Sequence, residues 1–142
     1  MDTENIPAPG DGLQTVLRTI PMPADLGIGG QIPIGWVLAQ LDQAGAVLPG
    51  GHFSRNVALV QIDAIEIEAM PRLGDFVTFR ARLLDAGTEH ARVEVQALRT
   101  SRGGQGQEQG LEQEQEQEQE QEQILRTCLV YVPLPAEDST PD

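Results

Sequence analysis

One carboxylate stands out because of the residues around it. Between Trp36 and Leu48 the chain carries Val, Leu, Ala and Gln at helical spacing, and Asp42 is the one formally charged residue of the stretch. On a helix turning about 100° per residue, Val37, Leu41, Ala44 and Leu48 share one side, as a core-facing stripe requires. Asp42 falls on another side, among Leu38, Ala39, Gly45 and Ala46. The pattern predicts a helix buried nearly all round that carries a lone acid among small and apolar neighbours. Small neighbours leave room for a ligand, and partial burial tunes an acid for catalysis. A carboxylate without a nearby His or Lys can act as general base on water, or attack an activated carbonyl itself. The competing reading is a helix-surface residue at a subunit or solvent boundary, hydrogen-bonded to a backbone amide. Leading into the helix is a glycine-rich loop, Gly27-Ile28-Gly29-Gly30-Gln31-Ile32-Pro33-Ile34-Gly35. It would deliver a helix N-terminus whose free N–H groups polarise a carbonyl oxygen.

Other chemistries find less support. His52 follows Gly50-Gly51 in an expected loop and His90 lies at a hairpin turn. Neither has metal-ligand spacing to another His or Cys, so no metal or cofactor is implied. Cys128 sits in a strand at alternating spacing and reads as a small buried hydrophobe. No Ser or Cys occupies a nucleophile-elbow pattern. The glycine-rich loop lacks Gly-Lys-Ser/Thr and opens no parallel crossover, so it is a poor phosphate cradle.

The elements that must position Asp42 follow from periodicity and turn residues. Leu13–Ile20 alternates as a strand closed by Pro21 and Pro23, and the helix Trp36–Leu48 stops at Pro49-Gly50-Gly51. Val57–Ala69 reads as a strand whose phase switches near Asp63-Ala64, which predicts a bulge there. Phe76–Leu84 and Ala91–Thr100 flank a turn around Gly87, with Val93, Val95 and Ala97 on one face and Arg92, Glu94 and Gln96 on the other. Ile124–Val132 is the last strand. The economical packing is α+β, an antiparallel five-stranded sheet wrapped around one central helix.

Charge narrows the function classes. Against 22 acidic residues the chain has nine basic ones, all arginine, for a net charge of −13. Such a chain is repelled by phosphate backbones and anionic bilayers, which argues against nucleic-acid and membrane partners. Residues 103–123 are low-complexity, glycine then Glu-Gln alternation, and hold seven of the acids. They read as a solvated loop insert within a single domain spanning 13–136, and 1–12 and 137–142 read as flexible tails. A partner-binding acidic arm is the other reading of the tract. A lone cysteine, an acidic start and no long apolar run give the expectation of a cytoplasmic protein.

Several segments resemble, in order, the hotdog-fold acyl-CoA thioesterases, in particular the small bacterial acyl-CoA hydrolase branch. Leu17-Arg18-Thr19-Ile20-Pro21-Met22-Pro23-Ala24-Asp25 is similar to that branch's opening strand and Met-Pro turn. Gly35-Trp36-Val37-Leu38-Ala39-Gln40-Leu41-Asp42-Gln43-Ala44-Gly45 resembles its central helix, with Gly-Trp at the start and Gln-x-Asp-x-x-Gly inside. Pro71-Arg72-Leu73-Gly74-Asp75 is similar to its turn between the second and third strands. The resemblance covers about 13–102 and 124–136 and implies a thioester hydrolase that releases a free acid and CoA. It implies Asp42 as general base or nucleophile, Gly35 and Trp36 amides at the developing oxyanion, and a site at the interface of a homodimer or trimer of dimers. Its pre-helix loop normally supplies Asn, Gly-Asp and Gly-Gly, where this chain has Gly27, Gly29, Gln31 and Ile34, stiffened by Pro33. The turn at Gly87-Thr88-Glu89-His90 also lacks the family's serines. Gln31 remains as an auxiliary polar group with two N–H donors. The changed loop leaves a second expectation open, a hotdog protein that binds acyl-CoA or another acyl ligand without turnover. A hydratase is disfavoured, because its Asp-His pair has no match near Asp42.

Overall fold

Residues whose side chains alternate between apolar and polar can pave one face of a sheet, and here they pave the face that wraps a helix. In the computed structural model, which describes residues 12–101 and 121–136, five strands and one long helix account for most of the described residues. The strands are β1 (Gln14–Thr19), β2 (Val57–Ile62), β3 (Phe76–Ala86), β4 (Ala91–Thr100) and β5 (Gln121–Pro133). The helix is α1 (Ile34–Phe53), and a short 3-10 turn, Pro23–Asp25, follows β1. Strand order is β1-β3-β4-β5-β2, antiparallel throughout. Val77, Phe79 and Ala81 of β3, Val93, Val95 and Ala97 of β4, and Leu129 and Tyr131 of β5 enclose Val37, Leu41 and Ala44 of α1. The expected α+β architecture of one helix in a five-stranded antiparallel wrap is what the chain adopts.

Four expectations are corrected here, each for a tertiary reason. The helix does not stop at Pro49-Gly50-Gly51 but runs on to Phe53. Pro49 removes one intrahelical donor, yet its ring is fully buried, so packing outweighs propensity. The last turn is held by His52, which donates from Nε2 to the Gly87 carbonyl at 2.8 Å. Ser54 ends it in the left-handed region (φ 57°), its N–H donating to the Gly50 carbonyl. His52 is therefore helical rather than in a loop.

The strand after the helix ends at Ile62, not Ala69, and its bulge falls between Leu59 and Gln61 rather than at Asp63-Ala64. Beyond it the chain still follows β5 through isolated bonds, Asp63 N–H to the Cys128 carbonyl and Glu68 N–H to the Ile124 carbonyl. The last strand begins at Gln121, so 121–123, expected in the loop insert, are ladder residues opposite Thr100, Arg99 and Leu98. Side chains compensate for poor strand formers there: Gln96 bonds Gln123, Gln123 bonds Glu68, and Arg99 pairs with Glu122. The expected tail 1–12 (apart from Gly12), the rest of the insert and the expected tail 137–142 lie outside the described residues.

Cys128 is the fourth correction. Alternation along β5 turns Thr127, Leu129 and Tyr131 inward, so Cys128 is half-buried on the outer face beside Arg82, Glu94 and Arg126. On that face the buried Glu94 carboxylate lies between Arg82, at 3.0 Å, and Arg126. The turn before β3 is closed by buried Asp75, which accepts from the Arg72 backbone N–H and the Arg99 guanidinium, both at 2.8 Å. Gly74 within it holds φ +90°, a conformation that costs an L side chain about 1 kcal/mol or more.

Candidate active site

The helix start is built by proline and glycine. Pro33, extended at φ −74° and ψ 154°, precedes the first helical residue, Ile34. The Trp36 N–H already donates to the Pro33 carbonyl at 3.0 Å. Gly35 lies one residue earlier, where an N–H has no intrahelical acceptor, and a side chain placed there would meet nothing within 4 Å. Gly35 is exposed. Trp36 is half-buried and packs on the core.

Beside this helix start is a cleft of about 870 Å³ between the pre-helix loop and the 67–73 segment. Gln31, Pro33 and Ile34 form one wall, and Ile67, Met70 and Leu73 the other. Among the described residues, Arg72 is the only formally charged one lining it. Gln31 lines this cleft and is exposed.

Asp42 is elsewhere. Seven residues of helix separate it from Gly35, about 10 Å along the axis at 1.5 Å per residue. In one copy of the chain the backbone of Asp42 and that of Gly35 therefore lie about two helical turns apart. Nor is the helix buried nearly all round, as the sequence pattern predicts. Val37, Leu41, Ala44, Gly45 and Pro49 are buried, whereas Ile34, Leu38 and Val47 are 42%, 39% and 47% exposed. Asp42 belongs to the uncovered side and is exposed rather than part-buried.

The carboxylate is nevertheless held. Tyr131, wholly buried on β5, directs its hydroxyl at the Asp42 Oδ1 at 3.1 Å and at the Asp42 carbonyl at 3.0 Å. Burial pushes the Tyr131 phenol well above the usual tyrosine range, with the Asp42 charge and its hydrogen bond adding to the shift. The phenol is a donor at any ordinary pH. Sequence reasoning missed Tyr131, since in a strand it reads as one more inward residue of the alternation. The available signal was its singularity, for it is the chain's sole tyrosine. Among the described residues no group of His, Cys, Asp and Glu is arranged to hold a metal ion. No described helix is long and apolar enough to cross a membrane.

No family model matches the chain. It is 33% identical over 94 residues to the acyl-CoA thioester hydrolase YciA of Escherichia coli K12, covering 66% of this chain and 68% of that one. It is 32% identical over 89 residues to an uncharacterized acyl-CoA thioester hydrolase of Zymomonas mobilis, of whose length it spans 60%. Among solved structures, a hexameric hotdog-fold thioesterase of Campylobacter jejuni superposes with a TM-score of 0.69 at 20% identity, over 86% of this chain and 84% of that one. A helix wrapped by a five-stranded antiparallel sheet agrees with these likenesses, and the chain belongs to the family of hotdog-fold acyl-CoA thioester hydrolases.

Proposed function

We propose that this protein hydrolyses acyl-CoA thioesters, with Asp42 as general base or nucleophile. The observation that carries the reading is the Asp42 carboxylate itself, which has no ion-pair partner among the described residues and stands on an uncovered apolar helix side. As a base, Asp42 takes a proton from water while the water oxygen attacks the thioester carbonyl. The tetrahedral oxyanion then collapses, the C–S bond breaks, and the CoA thiolate leaves and is protonated. As nucleophile, the carboxylate attacks the thioester carbonyl and displaces the CoA thiolate, which is protonated, and water then opens the resulting acyl anhydride to the free acid and the Asp42 carboxylate. In either course the Gly35 N–H is the available oxyanion donor and Gln31 an auxiliary one. The Trp36 N–H serves only by releasing, or sharing with, the Pro33 carbonyl.

The roughly 10 Å of helix axis between Asp42 and Gly35 supports reading the site as composite, one copy supplying the carboxylate and a second copy the helix start. A homodimer, or a trimer of dimers, answers that need, and the hexameric assembly of the Campylobacter jejuni thioesterase agrees with it.

The second reading, binding of an acyl-CoA without turnover, is favoured by two observations. The pre-helix loop carries Gly27, Gly29, Gln31 and Ile34 in place of the family's usual residues, and the Trp36 amide is already engaged. The deciding measurement is thiol release from a panel of saturated acyl-CoAs by wild type and Asp42→Asn. We expect turnover by wild type and a loss of about a hundredfold or more in the variant. Equal rates remove Asp42 from the mechanism. Saturable binding with no thiol released from any ester establishes the second reading.

A further inference from the structure

We propose that Tyr131 is a positioning residue for the Asp42 carboxylate, an inference that rests on reading Asp42 as the reacting group. An aspartate on an exposed helix side turns freely about two side-chain bonds. Here one of its oxygens lies 3.1 Å from a hydroxyl that cannot itself move, because the Tyr131 ring is wholly buried. A bond to a charged acceptor is roughly twice as strong as one between neutral groups, so the phenol selects one carboxylate orientation.

The helix is shaped to admit that phenol. A Cβ at Gly45 would lie 2.6 Å from the Tyr131 hydroxyl and 2.5 Å from Leu129 Cδ1. Gly45 stands three residues after Asp42 on the same part of the helix, and its missing side chain is the notch through which the hydroxyl reaches. The only acceptors the hydroxyl finds among the described residues both belong to Asp42. A buried phenol without an acceptor is costly, and Phe would fill the same space without that demand. The β5 strand thereby delivers a fixed donor to the α1 carboxylate, which frees the second oxygen, Oδ2, for water or a thioester carbonyl.

The test compares wild type, Tyr131→Phe and Asp42→Asn on the best acyl-CoA of the panel, each variant first confirmed as folded by circular dichroism. We expect Tyr131→Phe to lower kcat roughly ten- to a hundredfold while KM stays within about twofold. Wild-type kcat in Tyr131→Phe beside an inactive Asp42→Asn overturns the positioning role and leaves the reading of Asp42 standing. A fully active Asp42→Asn overturns both. A loss confined to KM assigns Tyr131 to packing alone and overturns the proposal. If Tyr131→Phe fails to fold, the single tyrosine permits another course, since growth on fluorotyrosine labels this position only. A more acidic phenol is a stronger donor that draws charge from the carboxylate, so kcat is expected to fall along a series of increasing fluorination. A flat series overturns the role.

Discussion

Because Tyr131 is the chain's only tyrosine, its ionisation can be followed without interference. Its phenol is held above the usual range by burial first, then by the Asp42 charge and hydrogen bond. The folded chain therefore keeps the proton after the unfolded chain has lost it near pH 10. Stability from this group is present in full below about pH 10 and drains away as pH rises from there toward the raised folded value. On alkaline titration we expect tyrosinate absorbance to appear together with loss of far-ultraviolet circular dichroism, in one transition. Tyrosinate forming at the ordinary tyrosine pH in a folded protein would mean that the phenol is wet and the Asp42 bond absent. Asp42 itself was legible in the sequence as a lone charge in an apolar helix. Its partner was not, because Asp42 and Tyr131 lie 89 positions apart and only the β5 register brings them together.

Among the elements, the β4–β5 hairpin is informative about the Glu-Gln tract. The two strands remain in register from Ala91 opposite Tyr131 to Thr100 opposite Gln121, with a bulge at Ala97/Leu98. The last strand thus claims Gln121, Glu122 and Gln123, and Glu122 bonds Arg99 at 2.5 Å. Replacing 103–119 by a short Gly-Asn turn is expected to leave melting temperature within a few degrees and acyl-CoA hydrolysis unchanged, because loop closure changes by only about 0.6 kcal/mol per halving of length. Extending the deletion through 123 should lower melting sharply, since it removes three rungs of the ladder and the Arg99–Glu122 and Gln123–Glu68 contacts. Thermal melts of the two deletions check this directly. Composition alone marked the tract as low-complexity. It could not find the strand start, because alternating Glu and Gln has no apolar phase to show which residues pair.

At the scale of the molecule, the described residues of one chain leave several large apolar side chains exposed. Ile34, Leu38 and Val47 lie open on the helix, and β2 ends the sheet with Val60 and Ile62 at 56% and 46% exposure. An apolar sheet edge of this kind is a template for another strand. The distance from Asp42 to Gly35 gives association a catalytic purpose on the proposed reading. Val60→Lys with Ile62→Lys is expected to shift the protein toward monomer in light scattering and to lower thiol release in parallel. A monomeric double variant with full activity would show that one copy holds a complete site.

Local spacing by itself determined the helix face Val37, Leu41 and Ala44, the inward set Val93, Val95 and Ala97, and the helical aspartate, because these depend on periods of 3.6 and 2 that a chain carries in its own order. Tertiary structure alone decided the rest. It carried the helix past Pro49-Gly50-Gly51, moved the bulge to Leu59/Gln61, and turned Cys128 outward. It also left Asp42 exposed on a single copy and set a buried phenol against it. Each of these depends on packing or register between segments far apart in the chain, where burial outweighs the local preference of any residue.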